Sequence, residues 1–129
     1  MTDIRPNKQQ FLDLMNASDE GPVVMLNLLK FKPREGASEY DKYGSSVVPM
    51  VEARGGKVLW LGKVDQTLIG DLDADAWDAV ALVQYPSRKA FIEMVSTPEY
   101  EQAHEHRESG LERTVLIACS ERVNRLAGI

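Results

Sequence analysis

Phe11, Leu12, Leu14 and Met15 form an apolar stripe in an otherwise polar opening stretch. Pro6 is tolerated in a first helical turn, so a short helix is expected from there to about Asn16 to Asp19. Gly21-Pro22 then punctuates the chain. Val23 to Phe31 runs almost without a polar break, at the length of a strand rather than a helix, and predicts a central strand buried on both faces. After a polar turn at 32–36, Tyr40, Tyr43, Val47, Val51 and Arg54 recur at spacings of 3 or 4, the pattern of a helix with one inward face. Pro49 lies inside it and removes a backbone hydrogen bond, which predicts a kink or local break. Gly55-Gly56 ends the helix, one of the two in a left-handed conformation.

Lys57 to Ile69 alternates only partly, with Gly62 interrupting, and predicts a long, bent or bulged strand. The acidic connection Asp71 to Asp75 leads to a strand from Trp77 to Tyr85. Ser87 is placed to cap a helix from Arg88 to Val95 with Phe91, Met94 and Val95 inward, and Thr97-Pro98 repeats the cap-and-proline signal for a further helical run. Arg113 to Cys119 is the last strand, and 120–129 is a polar tail with Val123, Leu126 and Ile129 placed to dock on a neighbour. The order strand, helix, strand, strand, helix, strand is the α+β ferredoxin-like plan βαββαβ, a four-stranded antiparallel sheet with helices on one face. Its other apolar face needs a cover, and a symmetric homodimer packed sheet to sheet supplies one. The division expected is a single domain over 1–129: an N-terminal helical extension (1–20), a ferredoxin-like core (22–119) and a C-terminal tail.

Composition narrows the classes. A chain of 129 residues fits one core, and 43% hydrophobic with 27% charged residues is ordinary for a folded domain. A net charge of −5 repels phosphate backbones, so no nucleic-acid partner is expected. No apolar run approaches the ~20 residues of a membrane span, and the first residues lack the basic-then-apolar layout of a secretory signal, so a cytoplasmic location and no membrane partner are expected. Cys119 has no second cysteine to pair with and reads as a small buried hydrophobe rather than a reactive thiol. Gly-rich phosphate loop, Gly-x-Ser-x-Gly elbow and cysteine pair are all missing from the sequence, and no cofactor is expected.

Among chemistry-bearing residues, Asn27 stands out in an apolar strand. A buried amide must find partners or cost about 1–3 kcal/mol, so Asn27 is either tied to neighbouring backbone or presents a donor to a ligand carbonyl. His104 and His106 lie two apart, which on a helix turns them about 200° from each other, so no shared metal ion is expected. Tyr100, His104 and Arg107, at spacings of 4 and 3, share one helix face. That face either holds a histidine acid or base beside a guanidinium for a carboxylate or enolate oxygen, or meets solvent or a partner chain with ion pairs to Glu101 and Glu108. Tyr40, Tyr43, Trp60 and Tyr85 are either core or the aromatic lining of a pocket. Arg88, in the first turn of its helix, either binds a small carboxylate or covers the sheet edge.

Met25-Leu26-Asn27-Leu28-Leu29-Lys30-Phe31, Tyr40 and Tyr43, and above all Tyr85-Pro86-Ser87-Arg88 with Ser96-Thr97-Pro98-Glu99-Tyr100 and Arg107 resemble the domain-of-unknown-function 1330 family from Val23 to Cys119. The resemblance implies the dimeric α/β-barrel superfamily, in which two ferredoxin-like chains pack sheet to sheet. Its branches include cofactor-independent monooxygenases of polyketide-type aromatics, haem-degrading and chlorite dismutase-like enzymes, and sensory or amino-acid-binding modules. Gln84 stands where an acidic residue commonly precedes the aromatic-Pro-Ser string, so no carboxylate role carries over to it. The expectation is a homodimer with a pocket between sheet and helices for a small organic acid or aromatic compound, with cofactor-independent oxygenase or isomerase-like chemistry. His104 and Arg107 are its expected catalytic groups, and Asn27, Tyr43, Trp60, Tyr85, Arg88 and Tyr100 its binding groups. The alternative is a non-catalytic ligand-binding or assembly module of the same fold, and whether the protein is an enzyme stays open at this point.

Overall fold

The apolar run after Gly21-Pro22 forms strand β1 (Val23–Phe31) in a computed structural model that describes residues 5–17 and 21–126. Around it, in chain order, lie α1 (Lys8–Asn16), α2 (Gly36–Ala53), β2 (Lys57–Lys63), β3 (Ala79–Tyr85), α3 (Arg88–Val95), α4 (Pro98–Gly110) and β4 (Leu111–Ser120). The four strands form one antiparallel sheet in the order β2-β3-β1-β4. That is the ferredoxin-like βαββαβ topology, preceded by a helix.

Alternation along β1 sorts its side chains. Val23, Met25, Asn27 and Leu29 are buried toward the helices, while Val24, Leu26 and Leu28 on the reverse face are only half-buried. The strand is central, but within one chain only one of its faces is covered, which corrects the expectation of burial on both. The core joins Val23, Met25 and Tyr85 of the sheet to Val47 and Val51 of α2 and Met94 of α3. A smaller cluster of Leu29, Ala79 and Leu111 closes the other end.

The caps follow the sequence. The Ser87 and Thr97 side chains accept from the backbone N–H groups of Ala90 and Tyr100, and Pro98 opens α4. At α1 the cap is Asn7, in a capping box with Gln10, and Pro6 precedes the helix instead of entering its first turn. That helix ends at Asn16, the first position of the expected range Asn16 to Asp19; positions 18 and 19 lie outside the described residues. Gly55 takes the left-handed conformation after α2, at φ 81°.

Other elements depart from the sequence pattern. Helix α2 runs through Pro49 without a break; Ser45, whose carbonyl loses its partner there, is exposed and open to water. Strand β2 stops at Lys63, and its bulge lies between Val58 and Trp60 rather than at Gly62. Strand β3 starts at Ala79, and Trp77 instead packs under the Arg113 guanidinium, 4.2 Å from carbon to ring centroid. Strand β4 is longer at both ends than expected. Cys119 is half-buried rather than buried, because it pairs with Val24 on the uncovered face. After β4, Val123 and Leu126 are exposed without helix or strand, and Ile129 lies outside the described residues.

Where α4 crosses the start of α2 the backbones nearly touch. A Cβ on Gly110 would lie 2.6 Å from the Gly36 carbonyl oxygen and 2.9 Å from the Tyr40 nitrogen. The Gly110 carbonyl accepts from Lys32 N at 2.8 Å. Only glycine fits, and this crossing fixes the height at which the side chains of α4 meet those of α2.

Candidate functional site

The pleat of the sheet and the phase of two helices converge on one space. Met25 and Asn27 pair across β1 and β3 with Val83 and Ala81, so these four share the helix-facing side, and the small Ala81 leaves room beside the amide. The Thr97 cap sets the phase of α4, so that Ala103, His104 and Arg107 are buried while Glu101 and Glu105 are exposed. Tyr40, Tyr43, Gly44 and Val47 approach from α2. Together these groups bound a cavity of about 890 Å³, with Pro6, Phe11 and Leu14 of the N-terminal segment forming part of its wall.

Arg107 is 4% exposed. Its Nη2 donates to Thr114 Oγ1 at 3.5 Å, and that hydroxyl donates in turn to the Leu28 carbonyl at 2.7 Å. The guanidinium carbon lies 6.0 Å from the Tyr43 ring centroid. The Tyr43 and Tyr100 hydroxyls are 3.0 Å apart, and a continuous line of rings runs from Phe31 through Tyr40, Tyr43 and Tyr100 to His104, with centroid separations of 5.6, 5.3, 6.1 and 5.7 Å. Burial raises the Tyr43 phenol well above its ordinary range, aided by Tyr100 and opposed by Arg107. Tyr40 is raised by burial too, again opposed by Arg107. Both phenols stay protonated at neutral pH and are available as donors.

His104 is 5% exposed. Glu108 Oε1 lies 3.2 Å from its Nε2 but off the N–H axis, so neither ring nitrogen makes a hydrogen bond among the described residues. Its pKa is lowered first by burial, then by the Arg5 and Arg107 cations, against a smaller opposing pull from Glu108 and Glu101. The imidazole is therefore neutral near pH 7, the form that can accept a proton.

Arg5, outside the core and not anticipated, closes the outer side of this region. Its Nη2 lies 2.6 Å from both Glu101 Oε1 and Glu108 Oε1, and its Nε donates to Glu108 at 2.9 Å. The two glutamates lie on either side of His104 along α4, so the ion pairs pass over the imidazole. This contact holds Glu101 below the usual carboxylate range. The sequence shows the glutamates bracketing the histidine but carries no signal that a residue so far upstream would bridge them. Thr114 was also missed, as one threonine in an ordinary strand pattern.

The other expected site residues divide. Asn27 is buried at the cavity wall, and its amide nitrogen donates weakly to the Met25 and Ala81 carbonyls at 3.3 and 3.4 Å. Tyr85 is buried edge-on to Phe91, with burial raising its phenol pKa. Tyr43 and Tyr100 line the cavity. Trp60 does not: it pairs with Leu82 on the reverse face of the sheet and is 47% exposed. Arg88 is half-buried at the start of α3 and lies outside the lining, since Ala90, Phe91 and Met94 take the inward positions of that helix. His106 faces α2, with Nδ1 3.1 Å from Glu39 Oε2. Among the described residues, no group of three or more His, Cys, Asp or Glu is placed to hold a metal ion, and no helix is long and apolar enough to cross a membrane.

Comparison with known proteins gives a consistent picture. The chain is 37% identical to a protein of unknown function from Rhodopseudomonas palustris, over 96% of this chain and 100% of that one, with a TM-score of 0.90. A putative antibiotic biosynthesis monooxygenase from Caulobacter crescentus shares the fold at 18% identity and a TM-score of 0.60, over 79% of this chain and 91% of that one. Hydroxynitrile lyase from Passiflora edulis shares it at 11% identity and a TM-score of 0.63, over 82% and 99%. No curated protein matches the chain. Residues 31–119, from the end of β1 to the end of β4, match the family described as Domain of unknown function (DUF1330), and the chain belongs to that family.

Proposed function

We propose that the cavity binds a small organic acid with an apolar or aromatic body, and that His104 moves a proton on the bound molecule. The observation that carries this reading is His104: a buried, neutral imidazole with neither ring nitrogen hydrogen-bonded, beside a buried guanidinium at the wall of a cavity. An unsatisfied buried polar group costs stability, and a ligand group that pairs with it recovers that cost. Arg107 offers donors to a carboxylate, or to the oxygen that gains charge when a proton leaves the carbon beside a carbonyl. The hydrogen-bonded Tyr43–Tyr100 hydroxyl pair leaves one O–H to donate to the same oxygen. The resulting enolate, reprotonated at another carbon, gives an isomerisation; reacting with dioxygen, it gives a cofactor-independent oxygenation. The fold neighbours named as a monooxygenase and a lyase support the fold's capacity for such chemistry and nothing narrower.

The assembly belongs to this reading as a homodimer closed over the reverse face of the sheet. The alternative, a non-catalytic binding module, keeps the pocket and drops the proton transfer.

The test has two stages. Thermal-shift screening against small aromatic and keto acids is expected to find compounds that raise the melting temperature, with the rise reduced in Arg107→Lys, which keeps the charge but loses the planar fork. For the strongest binder, exchange of its acidic carbon-bound proton in deuterated water is then followed by NMR. His104→Gln, whose amide keeps a donor and an acceptor there, is expected to retain binding within a few-fold, or about 1 kcal/mol, and to lose exchange by about 10²-fold or more. Binding with no exchange in the natural chain establishes the binding-module reading, and a screen without a single shift overturns the pocket.

A further inference from the structure

A second cavity of about 320 Å³ lies between α2 and the end of β2, lined by the apolar Leu29, Phe31, Leu61 and Ala79 together with the charged Asp41, Lys63 and Asp78. It shares Tyr40, Gly44 and Leu61 with the larger cavity, so the two adjoin at those residues. Helix α2 does not cover the edge strand there. Leu61 pairs with Ala81 on the helix-facing side of the sheet yet is 66% exposed, and Val58 on the same side is 41% exposed.

Gly44 stands at the junction, in the middle of an 18-residue helix. Glycine inside a helix costs about 1 kcal/mol relative to alanine. Gly36 and Gly110 are required by a backbone crossing and Gly55 by its positive φ, whereas a Cβ on Gly44 would meet nothing within 4 Å. Packing within the chain gives no reason for this glycine. The open space beside it lies where the two cavities adjoin.

We infer that the smaller cavity is a tail subsite of the same binding site, so that the ligand is an elongated amphipathic acid whose acidic end lies at Arg107 and whose apolar end passes Gly44 onto Leu61 and Phe31. This rests on the acid-binding reading above. It adds a length requirement and names Gly44 as the residue that sets it.

The probes are phenylacetate, phenylbutyrate, phenylhexanoate and phenyloctanoate, with the matching phenylalkanols, titrated by calorimetry into the full chain. In the natural protein, affinity is expected to rise with length by up to about fourfold per added methylene, the factor that burying one methylene supplies. Gly44→Leu is expected to weaken the two longest acids far more than phenylacetate, so that the gain with length is lost. Gly44→Met serves equally if the leucine variant fails to fold, and both residues favour a helix over glycine. Arg107→Lys is expected to weaken every acid by a similar factor and to leave the alcohols unchanged. Affinity independent of length in the natural chain overturns the tail subsite, as does equal weakening of all acids by Gly44→Leu. A shift in sedimentation of Gly44→Leu without a change in length preference assigns the gap to a neighbouring chain and also overturns it. Alcohols that show the Gly44-dependent length effect while acids bind no better keep the tail subsite and remove the acid-binding end, which separates the two failures.

Discussion

At His104 burial and the Arg5 and Arg107 cations act in the same direction, and this has a consequence for stability. The imidazole's pKa is lowered in the folded chain, so the unfolded chain binds the proton more readily. Its contribution is fully present above the unfolded value of about 6.5 and is lost as pH falls from there toward the depressed folded value. The slope is at most about 1.4 kcal/mol per pH unit for one proton. His104→Gln cannot take up that proton, so its urea midpoint is expected to vary less than the natural chain's between about pH 7 and 5; His106 is present in both chains and cancels in the comparison. Parallel pH profiles would show that His104 is not held neutral by the fold. The spacing of Tyr100, His104 and Arg107 was legible as one helix face. Its direction was not, because α4 has hardly an apolar residue to mark an inward side, and a polar face that lines a cavity reads like one that meets water. In the structure His104 and Arg107 line the cavity, both about as buried as Tyr85.

Elements defined by a cap and a period were readable to the residue; elements defined by register were not. Ser87 and the Phe91, Met94 and Val95 stripe gave α3 its observed bounds. Strand β2 shows the opposite case. Simple alternation places Trp60 on the same side as Val58, but the bulge inserts Leu59 between them, and a one-residue slip turns Trp60 to the reverse face. Its indole then lies over Gly62, where a Cβ would fall 2.0 Å from the ring. The same contact explains the glycine that interrupts the alternation of this strand. The crossing of α2 and α4 was equally hidden, since two glycines far apart in sequence announce no contact. Gly110→Ala drives a methyl into the backbone of Gly36 and Tyr40, which have no flexible side-chain end to yield. It is expected to cost about 1–3 kcal/mol or more in denaturant unfolding. Gly44→Ala, in open space, is expected to stabilise by a few tenths to about 1 kcal/mol. The reverse order of these two variants would place the tight crossing elsewhere.

Over the whole molecule, the reverse face of the sheet carries an unbroken apolar row. Trp60 pairs with Leu82, Leu82 with Leu26, and Leu26 with Ile117, one residue from each strand. Val80, Leu28 and Val115 form the next row beside the Trp60 indole. Trp60 and Ile117 are close to half exposed, at 47% and 46%. A face of this kind, on a sheet whose other side packs against the helices, is expected to be covered by its copy about a two-fold axis, burying about 800 Å² per partner. Leu82→Glu places a charge at the middle of that row. In an isolated chain the carboxylate would meet water and cost little, whereas in a face-to-face dimer it would be desolvated with no fixed cation opposite. The natural chain is therefore expected to sediment as a dimer at micromolar concentration, and Leu82→Glu as a folded monomer with unchanged far-ultraviolet circular dichroism. In a Trp77→Phe background the remaining emission comes from Trp60 alone, and it is expected to move to longer wavelength in the Leu82→Glu variant as the indole becomes wet. A dimer that survives Leu82→Glu with Trp60 emission unchanged would put the interface on another surface and leave the apolar row without a cover.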